Sequence, residues 1–220
     1  MPGMLAEEWG ESFRIMDIQT AEFMKSSAHP KECPAPDFPE YAFIGRSNVG
    51  KSSLINMLAH RNSLAKISGT PGKTQLINHF AINLEKETCW YLVDLPGFGY
   101  AKVSKTSRTK WQRTSEQFLT SRANLMCVMM LLDSRHPPQK VDMEFMAWMG
   151  ENNLPFVMVF TKVDKLNQAE RAAFLPHYEQ EMLKQWHRMP PVYITSAEKG
   201  EGREELLRFI EQTNALFENI

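Results

Sequence analysis

The sequence predicts an α/β protein whose mostly parallel, six-stranded sheet carries helices on both faces. Short apolar runs alternate with helical apolar patterns along the 220 residues, as expected when helices connect parallel strands. Glycines or acidic residues follow several of these runs directly, at the strand ends where open α/β sheets bind ligands. The hydrophobic content of 43% is ordinary for a folded domain, so apolar side chains suffice for a core.

The individual elements follow from this alternation. Strands are expected near 41–44, 76–82, 90–93, 125–132, 154–160 and 192–195, and helices near 51–60, 109–122, 139–151, 168–186 and 202–217. Because no helical pattern separates the second and third strands, they should form a hairpin, which makes one edge strand antiparallel. No linker divides the chain, so residues 38–220 are expected to form one domain. Residues 1–37 are predicted to be an extension whose first residues are disordered.

A glycine-rich segment connects the first predicted strand to the first helix and matches the phosphate-binding pattern G-x-x-x-x-G-K-S. The backbone amides of such a loop and the N-terminus of the helix suit negative charge. Lys51 is expected to bridge the β- and γ-phosphates, and the Ser52 hydroxyl to bind Mg²⁺. The residues predicted to contact nucleotide here are Gly45, Arg46, Ser47, Asn48, Val49, Gly50, Lys51, Ser52 and Ser53.

A second motif, Asp94-Leu95-Pro96-Gly97, follows the apolar run 90–93. Asp94 would lie at the ligand-binding edge of the sheet, where a carboxylate suits Mg²⁺, directly or through water. The Gly97 amide is suited to the γ-phosphate. In isolation the same residues also fit an aspartate that caps a Pro-Gly turn.

Two further segments predict recognition of guanine. Thr161-Lys162-Val163-Asp164 follows the apolar run 154–160, and Thr195-Ser196-Ala197 follows the last strand. A carboxylate at Asp164 can accept hydrogen bonds from N1–H and the exocyclic amine of guanine, a pair that adenine lacks. The Lys162 stem can cover the purine ring, and the backbone amides of the second segment can meet the guanine O6.

Composition excludes several other classes of protein. The net charge of −1 argues against a globally basic RNA binder, and the longest apolar stretch, 125–132, is too short to span a membrane. The acidic N-terminus resembles neither a signal nor a transit peptide. Three cysteines without Cys-x-x-Cys spacing indicate a reducing compartment. A metabolic phosphotransferase would not need Thr-Lys-x-Asp, and a binding module with a degenerate site would not retain the Lys51 motif.

Local charge differs from the overall balance between residues 98 and 113. This stretch has no acidic residue. It holds five cations interleaved with aromatic residues, a combination that suits RNA, namely Lys102, Lys105, Arg108, Lys110 and Arg113 with Tyr100 and Trp111. An ordinary solvated helix face is the alternative. His136, in Arg135-His136-Pro137, is interpreted as a turn residue rather than as a catalytic base.

These motifs, together with Thr70-Pro71-Gly72-Lys73-Thr74-Gln75, Lys110-Trp111-Gln112 and Asp133-Ser134-Arg135-His136-Pro137, closely resemble the EngB/YihA/YsxC family of GTPases, in the Era-like branch of the TRAFAC class. The resemblance extends from Phe23 to the C-terminus. It implies a three-layer P-loop GTPase fold, binding of GTP and GDP, slow intrinsic hydrolysis, and a cytoplasmic monomer. It further implies a role in assembling the large ribosomal subunit and hence in growth, division and septation.

The resemblance also assigns residues that the patterns alone do not. Thr74 matches the switch-one threonine that completes the Mg²⁺ shell, with Thr70 as the competitor, and Gly72 and Lys73 join the GTP contacts. Phe98 replaces the glutamine that orients water in many GTPases. Asn48 matches a K⁺ ligand of potassium-dependent relatives, although a hydrogen bond to switch one would explain it equally well. The implied catalytic residues are Lys51, Asn48, Thr74 and Gly97.

Overall fold

The computed structural model describes residues 16–61, 64–65, 76–98 and 105–217, and within 105–112 it describes the backbone alone. This part of the chain forms one seven-stranded sheet and five α-helices. The strands are β1 (Ala21–Ser27), β2 (Glu40–Gly45), β3 (Ile77–Ile82), β4 (Trp90–Asp94), β5 (Leu125–Asp133), β6 (Phe156–Thr161) and β7 (Val192–Ile194). The helices are α1 (Lys51–Leu58), α2 (Lys105–Ser121), α3 (Lys140–Glu151), α4 (Gln168–Met182) and α5 (Arg203–Asn214).

The sheet has the order β1-β3-β4-β2-β5-β6-β7. Strand β2 is parallel to β4 and β5, and parallel pairing continues through β6 to β7. Strands β3 and β4 form the antiparallel hairpin that the sequence predicted. Because the parallel strands all run in one direction, the segments that follow β2, β4, β5, β6 and β7 emerge at the same edge of the sheet.

The seventh strand comes from the segment that was expected to be an extension. Strand β1 pairs antiparallel with β3, and the Phe23 ring packs edge-on against Phe80 with centroids 5.8 Å apart. Five consecutive residues of β1 are exposed, so the strand lacks the alternating pattern by which a half-buried strand is recognised. Residues 1–15 lie outside the described residues, and their disorder remains a prediction.

Helices cover both faces of the sheet, as predicted. Alternate residues of β2 point to opposite faces, so Tyr41 and Phe43 belong to one apolar cluster while Ala42 and Ile44 belong to another. The first cluster includes buried side chains of α1 and α5, and the second includes those of α2, α3 and α4. The fold is therefore a three-layer α/β arrangement with two cores.

Candidate nucleotide-binding site

The glycine-rich segment forms a tight loop between β2 and α1. Gly50 precedes the helix with φ +106°, a conformation that favours glycine, and its carbonyl accepts the Leu54 amide at 2.9 Å. The Val49 amide donates to the Arg46 carbonyl at 3.1 Å within the loop. Lys51 and Ser52 thus occupy the first turn of α1, where a helix N-terminus favours anions.

Lys51 and Asp94 form an ion pair across the site. The exposed fractions of their side chains are only 10% and 5%. Burial lowers the pKa of the Lys51 ammonium to about 7. The structure therefore brings the predicted magnesium-binding carboxylate to the phosphate-binding lysine. The hydroxyl of Ser52 and the carboxylate of Asp94 are hard oxygen donors, the ligand type that suits Mg²⁺.

The segment after Asp94 is hydrogen-bonded to the phosphate loop. The Phe98 amide donates to the Gly45 carbonyl at 3.2 Å, and the Ser47 amide donates to the Phe98 carbonyl at 3.3 Å. A β-carbon on Gly97 would lie 3.0 Å from the Gly45 carbonyl oxygen, so a larger residue would not fit without displacement. The two predicted phosphate-contacting segments are consequently in direct contact.

Helix α3 contacts both of these segments through residues that the sequence did not single out. Arg46 Nε donates to Asp142 Oδ2 at 3.1 Å, and the Asp142 side chain is 1% exposed. Burial raises the pKa of Asp142 to about 6 although Arg46 opposes this change. The Phe98 ring stacks on the Phe145 ring with centroids 4.9 Å apart, and Phe145 lies about one helical turn after Asp142.

The two segments that were predicted to recognise guanine, 161–164 and 195–197, are called the base-reading segments below. The first of them contacts the phosphate loop. The Thr161 hydroxyl donates to the Val49 carbonyl at 2.5 Å. Lys162 has a left-handed backbone with φ +62°, and its Nζ donates to the Asn48 carbonyl at 2.5 Å. Thr161 and Lys162 therefore both fasten this segment to the phosphate loop.

The carboxylate of Asp164 is held by neighbours before any base is present. The Ser196 hydroxyl donates to its Oδ1 at 2.6 Å, and Lys165 Nζ lies 3.1 Å from its Oδ2. The hydrogen bond from Ser196 is the main reason that the pKa of Asp164 is lowered. Asp164 is therefore an ionised acceptor, as the reading of guanine requires.

The second base-reading segment offers fewer free amides than expected. The Thr195 amide donates to the Phe160 carbonyl at 2.7 Å, and the Ser196 amide donates to the Glu201 carbonyl at 3.1 Å. The Ala197 amide has no hydrogen-bond partner among the described residues, which makes it the candidate donor to O6. The Ser196 hydroxyl contributes instead by orienting Asp164.

A cavity of about 640 Å³ connects the base-reading segments with the phosphate loop. Apolar atoms of Leu54 and Met57 form part of its wall. The predicted site residues that line it are Gly50, Ser53, Thr161, Lys162, Asp164, Thr195 and Ala197. The structure thus gathers residues from three separate motifs around one space of the size that ligand sites have.

One buried carboxylate at this edge, Asp133, was quoted in the family resemblance but was not predicted to be a site residue. Asp133 ends β5, and its oxygens accept from Arg135 Nε at 2.9 Å and from Lys162 Nζ at 2.8 Å. Burial opposes its ionisation, but hydrogen bonds from Arg135 and Lys162 lower its pKa to about 2. An acidic residue that ends an apolar run was the available signal.

His136, which follows, is exposed and donates its amide to the Asp133 carbonyl at 3.1 Å, as in a turn.

Several predicted residues lie outside the described residues. These are Thr70, Gly72, Lys73 and Thr74 of switch one, and Tyr100 and Lys102 of the basic stretch. Lys105, Arg108, Lys110 and Trp111 belong to α2, where their side chains are not described. Arg113, in the same helix, is exposed. Among the described helices, none combines the length and the apolar character that crossing a bilayer requires.

Comparison with known proteins identifies relatives over most of the chain. Residues 40–162 match the profile of a family described as 50S ribosome-binding GTPase. The probable GTP-binding protein EngB of Christiangramia forsetii is 52% identical over 90% of this chain and 98% of its own length. Its counterpart from Bacteroides fragilis is 51% identical over 90% of this chain and 97% of its own length.

Solved structures support the fold. Era of Aquifex aeolicus, bound to GDP·AlF4⁻, matches with a TM-score of 0.66 at 24% identity. The match covers 80% of this chain and 57% of the Era chain. A structure of a probable GTP-binding protein engB has a TM-score of 0.63 at 21% identity over 81% of this chain and all of its own. The family profile and the sequence relatives show that this chain belongs to the EngB family of GTP-binding proteins and is a GTPase.

Proposed function

We propose that this GTPase is a cytoplasmic, monomeric switch that assists assembly of the large ribosomal subunit and thereby supports growth, division and septation. The observation that carries this proposal is the contact between the phosphate loop and the Asp94–Phe98 segment. The Phe98 amide bonds to Gly45, so a change in the bound phosphates can alter this segment directly. The family profile supports the ribosomal partner, since its description names binding to the 50S subunit.

Recognition of the nucleotide divides between two ends of the site. At the base end, Asp164 accepts the N1–H and amine hydrogen bonds of guanine, the Lys162 stem covers the ring, and the Ala197 amide meets O6. At the phosphate end, the loop from Gly45 to Ser53 surrounds the phosphates, together with Gly72 and Lys73. Adenine would offer Asp164 neither the N1–H nor the exocyclic amine donor of guanine, and the loss of these two hydrogen bonds selects guanine.

Hydrolysis requires stabilisation of the charge that develops on the γ-phosphate. Lys51 and the Gly97 amide face that charge in our proposal, and Thr74 holds switch one close to it. Ser52, Asp94 and Thr74 would hold Mg²⁺, which neutralises phosphate charge when it is bound. Asn48 would hold K⁺ or, in the alternative, bond to switch one. Phe98 cannot orient water by hydrogen bonding, so intrinsic hydrolysis should be slow.

The basic stretch connects this chemistry to a partner. Helix α2 begins at Lys105, shortly after Phe98 along the chain, so it adjoins the segment that senses the phosphates. We therefore assign its cations to the phosphates of ribosomal RNA, with presentation controlled by the bound nucleotide.

Cosedimentation with large-subunit particles tests this proposal. The full chain is loaded with a non-hydrolysable GTP analogue or with GDP, and binding is measured at several salt concentrations. We expect binding with the analogue, weakening with salt, and loss when Lys102, Lys105 and Arg108 are changed to glutamate, while affinity for GTP is retained. Lys140→Glu at the start of α3 and Lys184→Glu just after α4, both at exposed lysines, are matched controls. Equal binding in both nucleotide states would overturn the proposal.

A further inference from the structure

Asp133 lies at the carboxyl end of β5, between the strand that leads into the phosphate loop and the strand that leads into the base-reading segment. Its side chain is only 5% exposed. Oδ1 accepts from the backbone amide and Nε of Arg135 at 3.2 and 2.9 Å. Oδ2 accepts from Arg135 Nη2 and Lys162 Nζ, both at 2.8 Å. Both carboxylate oxygens are thus satisfied, and one of them is shared with the base-reading lysine.

The Lys162 ammonium has a second partner in the phosphate loop. Its Nζ donates to the Asn48 carbonyl at 2.5 Å, so the ammonium lies between the β5 carboxylate and the loop. The stem runs past Gly50, where a β-carbon would lie 3.4 Å from Lys162 Cε. A free lysine loses side-chain entropy when it is fixed. Contact with Asp133 fixes it in the folded protein, before a nucleotide binds.

An ordinary strand-ending ion pair with Arg135 is the simpler explanation of Asp133. That explanation accounts for three of the four hydrogen bonds, but it does not account for the contact with Lys162. Arg135 is 43% exposed and Lys162 is 26% exposed, so the better-buried partner is the lysine that lines the cavity. The position of Asp133 therefore favours a role in the nucleotide site.

We infer that Asp133 is a positioning residue for nucleotide binding. It fixes Lys162 as one wall of the proposed guanine pocket, and it thereby holds the segment 162–164, which follows β6, against the phosphate loop. This inference rests on the proposed role of Lys162. Asp133 itself need not contact the nucleotide. Its effect passes through the lysine, and this makes the two residues energetically dependent on each other.

A double-mutant cycle with Asp133→Asn and Lys162→Met tests this dependence in the full-length protein. Methionine keeps an apolar stem and removes the ammonium. GDP affinity is measured by titration calorimetry for the intact protein, both single variants and the double variant. We expect Asp133→Asn to weaken GDP binding about fivefold or more, and to add less than about twofold when Lys162 is already methionine. Independent effects of the two changes would overturn the inference.

Two comparisons separate positioning from general damage. Arg135→Gln leaves the Asp133–Lys162 contact in place, so we expect GDP affinity within about twofold of the intact protein. Asp133→Asn should weaken GDP and inosine diphosphate by the same factor, because Asp164 discriminates between them through the exocyclic amine. An Arg135→Gln variant as weak as Asp133→Asn, or a reduced preference for GDP, would instead identify Asp133 as a structural strand end.

The outcomes also separate this inference from the proposal beneath it. If Lys162→Met leaves GDP affinity unchanged, the proposed role of Lys162 fails, and the inference fails with it. If Lys162→Met weakens binding but Asp133→Asn does not, only the inference is overturned. Should Asp133→Asn not fold, Asp133→Glu keeps the charge and displaces the lysine contact by one methylene. Unchanged GDP affinity in that variant would likewise overturn the inference.

Discussion

The surroundings of buried charged groups differ between the base end and the phosphate end of the nucleotide site. At the base end, Asp164 and Asp133 have hydrogen-bond donors on their carboxylates, and their pKa values are lowered. At the phosphate end, burial raises the pKa of Asp142 and lowers that of Lys51, so the charged forms of both are disfavoured by burial. The base end is satisfied within the protein, whereas the phosphate end contains charges that burial destabilises.

This difference indicates how specificity and switching are divided. Contacts of the base end, such as the Ser196 hydroxyl on Asp164, can persist when guanine binds. At the phosphate end, Lys51 contacts Asp94, although we propose that the lysine meets phosphate and the aspartate meets Mg²⁺. Nucleotide binding must therefore replace an existing contact, the Lys51–Asp94 ion pair, only at the phosphate end. In our proposal, base choice thus depends on contacts that exist before the nucleotide binds, whereas the state of the switch depends on the phosphates.

The largest effect is expected at the phosphate end. Lys51→Ala removes the cation that faces the developing charge, and hydrolysis should fall by about a thousandfold, as when a single stabilising group is lost from other enzymes. Ser52→Ala should act in the same direction through Mg²⁺. Phosphate release under single-turnover conditions is the measurement, with exposed Lys184→Ala as the control. A loss smaller than tenfold would mean that Lys51 is not the principal cation at the γ-phosphate.

At the base end the effect should fall on selectivity. Asp164→Asn should weaken GDP binding by about 3 kcal/mol, because buried donors of the base lose their acceptor. Xanthosine diphosphate should bind better, since its C2 carbonyl suits the new amide. Calorimetric titration with both nucleotides measures this change. Unchanged GDP affinity would remove Asp164 from the guanine site.

Ser196→Ala is a milder test at the same place. It keeps the carboxylate of Asp164 and removes the hydroxyl that donates to it at 2.6 Å. We expect GDP binding to weaken by about 1 kcal/mol, the usual contribution of one hydrogen bond, without a gain for xanthosine diphosphate. A change as large as that of Asp164→Asn would show that Ser196 does more than orient the carboxylate.

The motifs of the nucleotide site could be predicted because the residues of each motif are adjacent in the sequence. The Lys51 and Asp164 segments directly follow apolar runs, and parallel strands bring such ends to one edge of the sheet. Contacts between segments were not predictable. The Arg46–Asp142 pair spans 96 positions, and the Lys162–Asp133 pair spans 29. Residue spacing along a chain specifies the face of a helix or a strand, but it does not specify a partner in another element.

Strand β1 escaped prediction for a different reason. Its pairing with β3 depends on backbone hydrogen bonds at the sheet edge, which leave most of its side chains exposed. An exposed edge strand needs no apolar alternation, so a pattern search passes over it. This omission did not affect the prediction of the nucleotide site. Strand β1 is the outermost strand on the side of the sheet away from β5 and β6, so it contributes no residue to the site.

The buried carboxylate at the phosphate end should make stability depend on pH. Asp142 binds its proton more tightly when folded, with a pKa of about 6 against an ordinary value of 3.8. Between these values the folded state holds more protons than the unfolded state, so stability should fall as pH rises from about 4 to about 6. The full change would be about 3 kcal/mol. Urea denaturation of the intact protein and of Asp142→Asn across this range measures it, and Glu144→Gln on the exposed face of α3 is the control.

The asparagine variant should lack this part of the pH dependence, while the control should retain it. An identical profile for Asp142→Asn would show that the cost of burial is met by Arg46. In that case the contrast between the two ends would rest on Lys51 alone.

A further effect concerns a cation beside the phosphates. Asn48 is exposed with φ +64°, and its carbonyl bonds to Lys162, while its side-chain amide has no partner among the described residues. If this amide holds K⁺, hydrolysis should be about tenfold faster in potassium than in sodium at equal ionic strength, a difference of about 1.4 kcal/mol in the barrier. Asn48→Ala should erase the difference and leave GDP affinity equal in both salts. Equal rates for the intact protein would exclude the cation and leave Asn48 as a residue that bonds to switch one. The phosphate end would then depend on Lys51 and Mg²⁺ for its positive charge.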